Sequence, residues 1–135
     1  MRLPALAAVL AVAVALASAA WADEASLIEP QALAERVASS DPQLLVLDVR
    51  SAAEFAEGHI PGAVNIPHDV IGERVAELGP SGDRDIVVYC RSGRRSALAI
   101  ETLKTSGFSR LFHLDGDYLR WSGERRTIVG PPAQP

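Results

Sequence analysis

The chain of 135 residues has one cysteine, Cys90, and Arg91, Ser92, Gly93, Arg94 and Arg95 follow it directly. A thiol is a weak nucleophile until it ionises, and its surroundings decide how readily that happens. Gly93 lets the backbone curl around one point. A curled loop turns its N–H groups inward and forms a nest for an anion. The helix-like pattern that starts near Arg95 or Ser96 directs its positive end at the same place. Three guanidinium groups add full charges. Each contribution favours thiolate over thiol, and the same field attracts an anionic substrate. A solitary cysteine is otherwise most simply a small core residue, since free cysteines are among the most buried residue types. The glycine-bearing, triply cationic loop favours a nucleophile instead.

Other polar residues have weaker claims. Asp48 ends an apolar run; it is a candidate general base, but a better role is to accept hydrogen bonds from loop N–H groups and hold the loop in place. Arg50 is placed either to bind substrate or to pair with Glu54 or Glu57. His59, ahead of Ile60-Pro61-Gly62, reads as a turn residue bonded to backbone rather than as a catalyst. His68 and His113 stand alone. No metal-ligand spacing is visible, so neither a metal nor an organic cofactor is expected.

The elements that must position these residues alternate along the chain. Pro30 suits a first helical turn, with Leu33 and Val37 one turn apart. The runs Gln43–Val49 and Asp85–Cys90 are short and nearly continuous in apolar residues, which suits parallel strands buried on both faces. Ser51 and Glu54 form a capping box for a brief helix that Gly58 ends. A short strand is expected over 63–66, a helix over 68–79, a helix over 95–107 closed by Gly107, a strand over 110–114 and a last helical turn or two over 117–121. Strand, crossover helix and strand in repetition predict a single-domain α/β fold, an open, doubly wound parallel sheet. In such sheets ligands bind beyond the carboxyl ends of the strands, where both Asp48 and Cys90 fall.

Composition fits one globular domain: 48% hydrophobic, 22% charged, net charge −4. No basic face accompanies the cysteine loop, which argues against nucleic acid as a partner. Residues 1–22 differ from the rest. Arg2 is followed by an Ala/Val/Leu run and by Ala20-Trp21-Ala22, the small-residue pattern of a secretory signal cleaved before Asp23. The run from Ala5 to Ala17 falls short of the roughly 20 residues that span a bilayer. The expectation is therefore an exported protein, periplasmic in a Gram-negative source, with no stable membrane association once the signal is removed.

Three stretches in combination resemble the rhodanese-like domain. They are "LLVLDVRSAAEFAEGHIPGAVNIP", "VVYCRSGRRSALAIETLKTSGF" and "HLDGDYLRW". The resemblance runs from Leu27 to Trp121. Together with the signal read over 1–22, it divides the chain into a short segment over 23–26, a rhodanese-like domain over 27–122 and a flexible tail over 123–135. It implies a thiosulfate sulfurtransferase in which Cys90 takes sulfur as a persulfide within a loop made by Arg91, Ser92, Gly93, Arg94 and Arg95. The donor would be a small sulfur anion, and the acceptor cyanide or a thiol, a protein thiol included. Arg91 resembles the thiosulfate branch, whereas Ser92 resembles the mercaptopyruvate branch. Carriage of sulfur to a protein partner, without independent turnover, is an alternative. Phosphatases and arsenate reductases use a related loop of the form C-x5-R; Arg95 closes C-x4-R here, a smaller cradle that suits one sulfur atom better. One departure is visible: the family often has two glycines before the last helix, and here Asp117 follows Gly116. It is expected to lie away from the cysteine.

Overall fold

The computed structural model describes residues 25–131. The expected signal segment therefore lies outside the described residues. Five parallel strands form one sheet in the order β1-β5-β4-β2-β3, with β1 at Ser26–Ile28, β2 at Leu44–Asp48, β3 at Val64–Asn65, β4 at Asp85–Tyr89 and β5 at Leu111–Leu114. The helices are α1 (Pro30–Ala38), α2 (Ala52–Glu57), α3 (Arg94–Thr105) and α4 (Asp117–Gly123). This is the expected doubly wound α/β sheet.

The apolar runs of the central strands explain why both faces are covered. Along β2 and β4, side chains alternate between two cores. Leu45, Leu47, Ile86, Val88 and then Cys90 enter the core shared with Ala99, Ile100 and Leu103 of α3. Val46, Val87 and Tyr89 enter the opposite core, closed by Leu33 of α1 and Trp121 of α4. Cys90 thus continues the strand's alternation and points to the α3 side. Burying an anchor such as Leu33 contributes about 1.5–3 kcal/mol. In register, Asp48 lies opposite Tyr89, so the ends of the two strands bring Asp48 and Cys90 to one edge of the sheet.

Three local expectations change, and one short strand comes unannounced. The helix expected over 68–79 is instead two 3-10 turns, Ile71–Glu73 and Val75–Leu78, broken at Arg74. Gly72 weakens an α-helix there by about 1 kcal/mol, and the more extended 3-10 path still buries both Ile71 and Leu78. β1 was not legible, because its three residues owe their state to parallel pairing with β5 rather than to an apolar pattern. The last helix extends to Gly123. The segment expected as a flexible tail is held in place as far as Val129. His59 and Val129 exchange both backbone hydrogen bonds at 2.8 Å. The Trp121 indole N–H donates to the Thr127 carbonyl at 3.0 Å.

Candidate functional site

β4 ends at Tyr89 and delivers Cys90 to a site only 1% exposed. The chain then turns through Gly93, whose φ is 120°, a conformation closed to most residues with a Cβ. This turn brings the Gly93 N–H to 3.0 Å from Cys90 Sγ, where it donates to the sulfur. α3 begins at the next residue. Of the inward N–H groups expected for a nest, the loop directs one, that of Gly93, at the sulfur, and the helix starts beside it.

Three neighbours hold this loop. The first turn of α4 donates Tyr118 N–H to the Cys90 carbonyl at 3.0 Å and Leu119 N–H to the Arg91 carbonyl at 3.1 Å. Glu54 of α2 grips Arg95 in a two-point ion pair at 2.7 and 3.0 Å. Asp117 accepts from the Cys90 N–H and the Ser96 hydroxyl, both at 2.9 Å, and from His113 Nε2 at 3.0 Å. Its position is therefore directly behind the cysteine, not away from it, and the expectation for this departure from the family pattern is corrected. Asp117 holds a positive φ of 53°; strain of this kind costs of order 1–3 kcal/mol, and its hydrogen bonds offset it. Burial opposes the charge of Asp117, yet the bonds from His113, Cys90 N–H and Ser96 hold its carboxyl below the ordinary aspartate range.

The three loop arginines are not equivalent. Arg95 is engaged by Glu54, whereas Arg91 and Arg94 are exposed. Among the described residues neither of these two has an ion-pair partner. Arg91 lines a cleft of about 330 Å³ with Arg50, Glu54, Gly58, Tyr118 and Leu119. Ser92 is exposed at the lip of the loop.

The remaining sequence candidates are brought near the loop but into other bonds. Asp48 and Arg50 form a buried pair at 2.6 Å. Asp48 accepts the Arg50 backbone N–H as well, at 2.9 Å, rather than any N–H of the cysteine loop. Arg50 pairs with neither Glu54 nor Glu57; it donates to the Gly58 carbonyl at 2.7 Å and stacks 4.1 Å from the Tyr118 ring. His59 bonds the Phe55 carbonyl through Nδ1 at 2.8 Å. Glu54, Ser96, His113 and Asp117 were missed as site residues. Glu54 was visible only as a cap, which it also is: Ser51 Oγ accepts the Glu54 N–H at 3.2 Å. The signal for Asp117 was a side chain standing where a second glycine was expected.

The Glu54–Arg95 bridge makes loop support pH-dependent. The Arg95 guanidinium, working against burial and with help from Ser51, holds the Glu54 carboxyl at about 2, down from 4.5. A depressed carboxyl contributes stability above its unfolded pKa and loses it as pH falls through its folded one. Glu54→Gln is therefore expected to cost about 1 kcal/mol at neutral pH, the magnitude being limited by solvent screening. Urea denaturation should show the difference from wild type shrinking between pH 4.5 and 2. A difference that stays constant over that range would mean the bridge stabilises nothing.

A family model described as Rhodanese-like domain matches residues 29–124. A protein named sulfurtransferase from Allochromatium vinosum is 39% identical over 104 residues, covering 77% of this chain and 94% of that protein. A putative sulfur carrier protein, YrkF, of Bacillus subtilis is 38% identical over 85 residues, covering 63% of this chain and 45% of that protein. Among solved structures, a rhodanese-related protein from Thermoplasma volcanium superposes with a TM-score of 0.66 at 29% identity, covering 77% of this chain and 97% of that one.

Proposed function

Because the chain belongs to the rhodanese-like domain family, we propose that it is an exported sulfurtransferase that carries sulfane sulfur as a persulfide on Cys90. The observation that carries this reading is the Gly93 N–H aimed at Cys90 Sγ from 3.0 Å. A donor already directed at the sulfur stabilises negative charge there without reorganisation.

The first half-reaction is attack by the Cys90 thiolate on the outer sulfur of thiosulfate. A new S–S bond forms at Cys90. The S–S bond within thiosulfate breaks, and its electron pair leaves with sulfite. In the second, cyanide or a thiolate attacks the terminal sulfur, the persulfide bond breaks, and Cys90 keeps the electron pair. Charge balances in both steps and no redox partner is needed. The two half-reactions imply ping-pong kinetics.

Arg95 is engaged by Glu54, and of the two arginines left without an ion pair Arg91 is the one that lines the cleft, free to meet a dianionic donor. Arg91→Ala is expected to raise the KM for thiosulfate about tenfold with little change in kcat, because uniform binding is what it removes. The effect should shrink in high salt, as for any exposed charge. Equal KM values in steady-state assays would place Arg91 on a solvated rim.

Intact-mass analysis of protein from the exported fraction tests the main proposal. Incubation with thiosulfate should add one sulfur atom to a chain beginning at Asp23. No added mass would overturn the persulfide, and a full-length chain would overturn cleavage. The similarity to YrkF favours a second reading, sulfur carriage to a protein thiol. Stoichiometric loading without turnover on thiosulfate and cyanide would select it.

A further inference from the structure

Behind the cysteine loop lies a carboxylate–histidine pair that the sulfur-transfer steps do not use. Asp117 is 3% exposed. Its Oδ1 takes the Cys90 N–H and the Ser96 hydroxyl, and both of its oxygens face His113 Nε2, at 3.1 and 3.0 Å. A Cβ placed on Gly93 would meet Asp117 Oδ2 at 3.1 Å and His113 Cε1 at 3.6 Å. The same Gly93 gives its N–H to Cys90 Sγ. The carboxylate and the sulfur therefore flank one glycine.

A neutral asparagine could accept the bonds from Cys90 N–H and Ser96 equally well. What a carboxylate adds is charge, and a buried charge needs a counter-charge. Among the described residues only His113 meets it. His113 keeps 21% of its side chain exposed and lines a cleft of about 310 Å³ with Ala25, Leu27, Ala97, Ile100 and Lys104, so its ring exchanges protons with solvent. Other charged groups stand around the pair, and the Lys104 Nζ among them is buried without a hydrogen-bond partner. Glu101 and Lys104 of α3 face each other at 3.6 Å, Asp115 is held by Arg120 at 2.7 Å, and β1 offers only the apolar Leu27. On the sulfur side stand Arg95 with Glu54, the buried Asp48–Arg50 pair, and the exposed Arg91 and Arg94.

We propose that Asp117 is a positioning residue for Cys90, and that the proton on His113 sets how strongly the loop favours an anionic sulfur there. With His113 charged, the pair is neutral and the sulfur anion feels the loop's donors alone. With His113 neutral, an uncompensated carboxylate opposes that anion from behind Gly93. By linkage the effect is reciprocal: an anionic sulfur at Cys90 strengthens proton binding by His113. Histidine is the side chain whose charge changes most readily between pH 5 and 8. The thiolate part stands on Cys90 alone; only its extension to the persulfide rests on the sulfurtransferase reading.

The test is the pH dependence of iodoacetamide alkylation of Cys90, with no sulfur donor present, alongside circular dichroism to verify folding. His113→Gln keeps a donor for Asp117 but removes the positive charge, and should raise the alkylation midpoint by ~1 pH unit. Asp117→Asn should not raise it, and the double variant should lose the upward shift because no uncompensated carboxylate remains. A His113→Gln midpoint within about 0.3 pH unit of wild type overturns the proposal, as does an upward shift that persists in the double variant. A second measurement leaves the pair intact. The NMR titration midpoint of His113 should be lower by ~0.5 unit or more in Cys90→Ser than in wild type, and equality overturns the proposal. Alkylation shifts as expected, in a protein that never acquires sulfur, would overturn the sulfurtransferase reading and leave this one standing.

Discussion

Cys90→Ser is expected to fold to within about 1 kcal/mol of wild type and to lose sulfur transfer by at least ~1,000-fold. The change is nearly isosteric at a site that is almost fully buried. A serine oxygen can still accept the Gly93 N–H, so no buried donor is orphaned. What disappears is the nucleophile: a hydroxyl at neutral pH does not attack sulfane sulfur. Steady-state turnover with thiosulfate and cyanide checks this directly. A Cys90→Ser variant that keeps a tenth of wild-type turnover would remove Cys90 from the mechanism.

Gly93→Ala should be nearly as damaging to activity, and it should damage stability too. With φ at 120°, an alanine must either hold a conformation that costs about 1–3 kcal/mol or move the loop. Its Cβ would also press on Asp117 Oδ2 at 3.1 Å, where a few tenths of an ångström must be found. Either response turns the Gly93 N–H away from the sulfur. Loss of one such donor lowers rates by roughly 10²–10³-fold. Persulfide loading followed by mass analysis, with a thermal melt in parallel, measures both effects. A Gly93→Ala variant loaded at the wild-type rate would show that this N–H contributes nothing.

Much of this architecture was legible because its causes are local. The runs ending at Asp48 and Cys90 could only be buried strands, Ser51 and Glu54 cap the helix between them, and Gly93 marks the turn. What was not legible depends on residues distant in sequence. Arg95 looked like a free cation until Glu54, 41 positions earlier, was found holding it. Asp117 looked remote because it stands 27 positions beyond the cysteine it supports. The break at Arg74 has the same origin: helical spacing was present between Val70 and Leu78, but the fit of Ile71 and Leu78 to the sheet decided the backbone. The Asp48–Arg50 pair is the exception, local across two positions but hidden because each residue also had another plausible partner.

Those two distant braces also bear on when, during folding, the cysteine acquires its surroundings. β4 is a central strand, parallel to both neighbours, and parallel pairing requires long crossovers that close late. One neighbour, β5, lies at residues 111–114, and the carboxylate beneath Cys90 follows it at Asp117. A nascent or partly unfolded chain that has emerged only through α3 has the thiol, the glycine and all three arginines. It lacks the strand that pins β4 and the helix start that fastens the Cys90 and Arg91 carbonyls. In that interval the cysteine loop stands without those contacts. The full set of bonds that fastens the loop is complete only once α4 is in place.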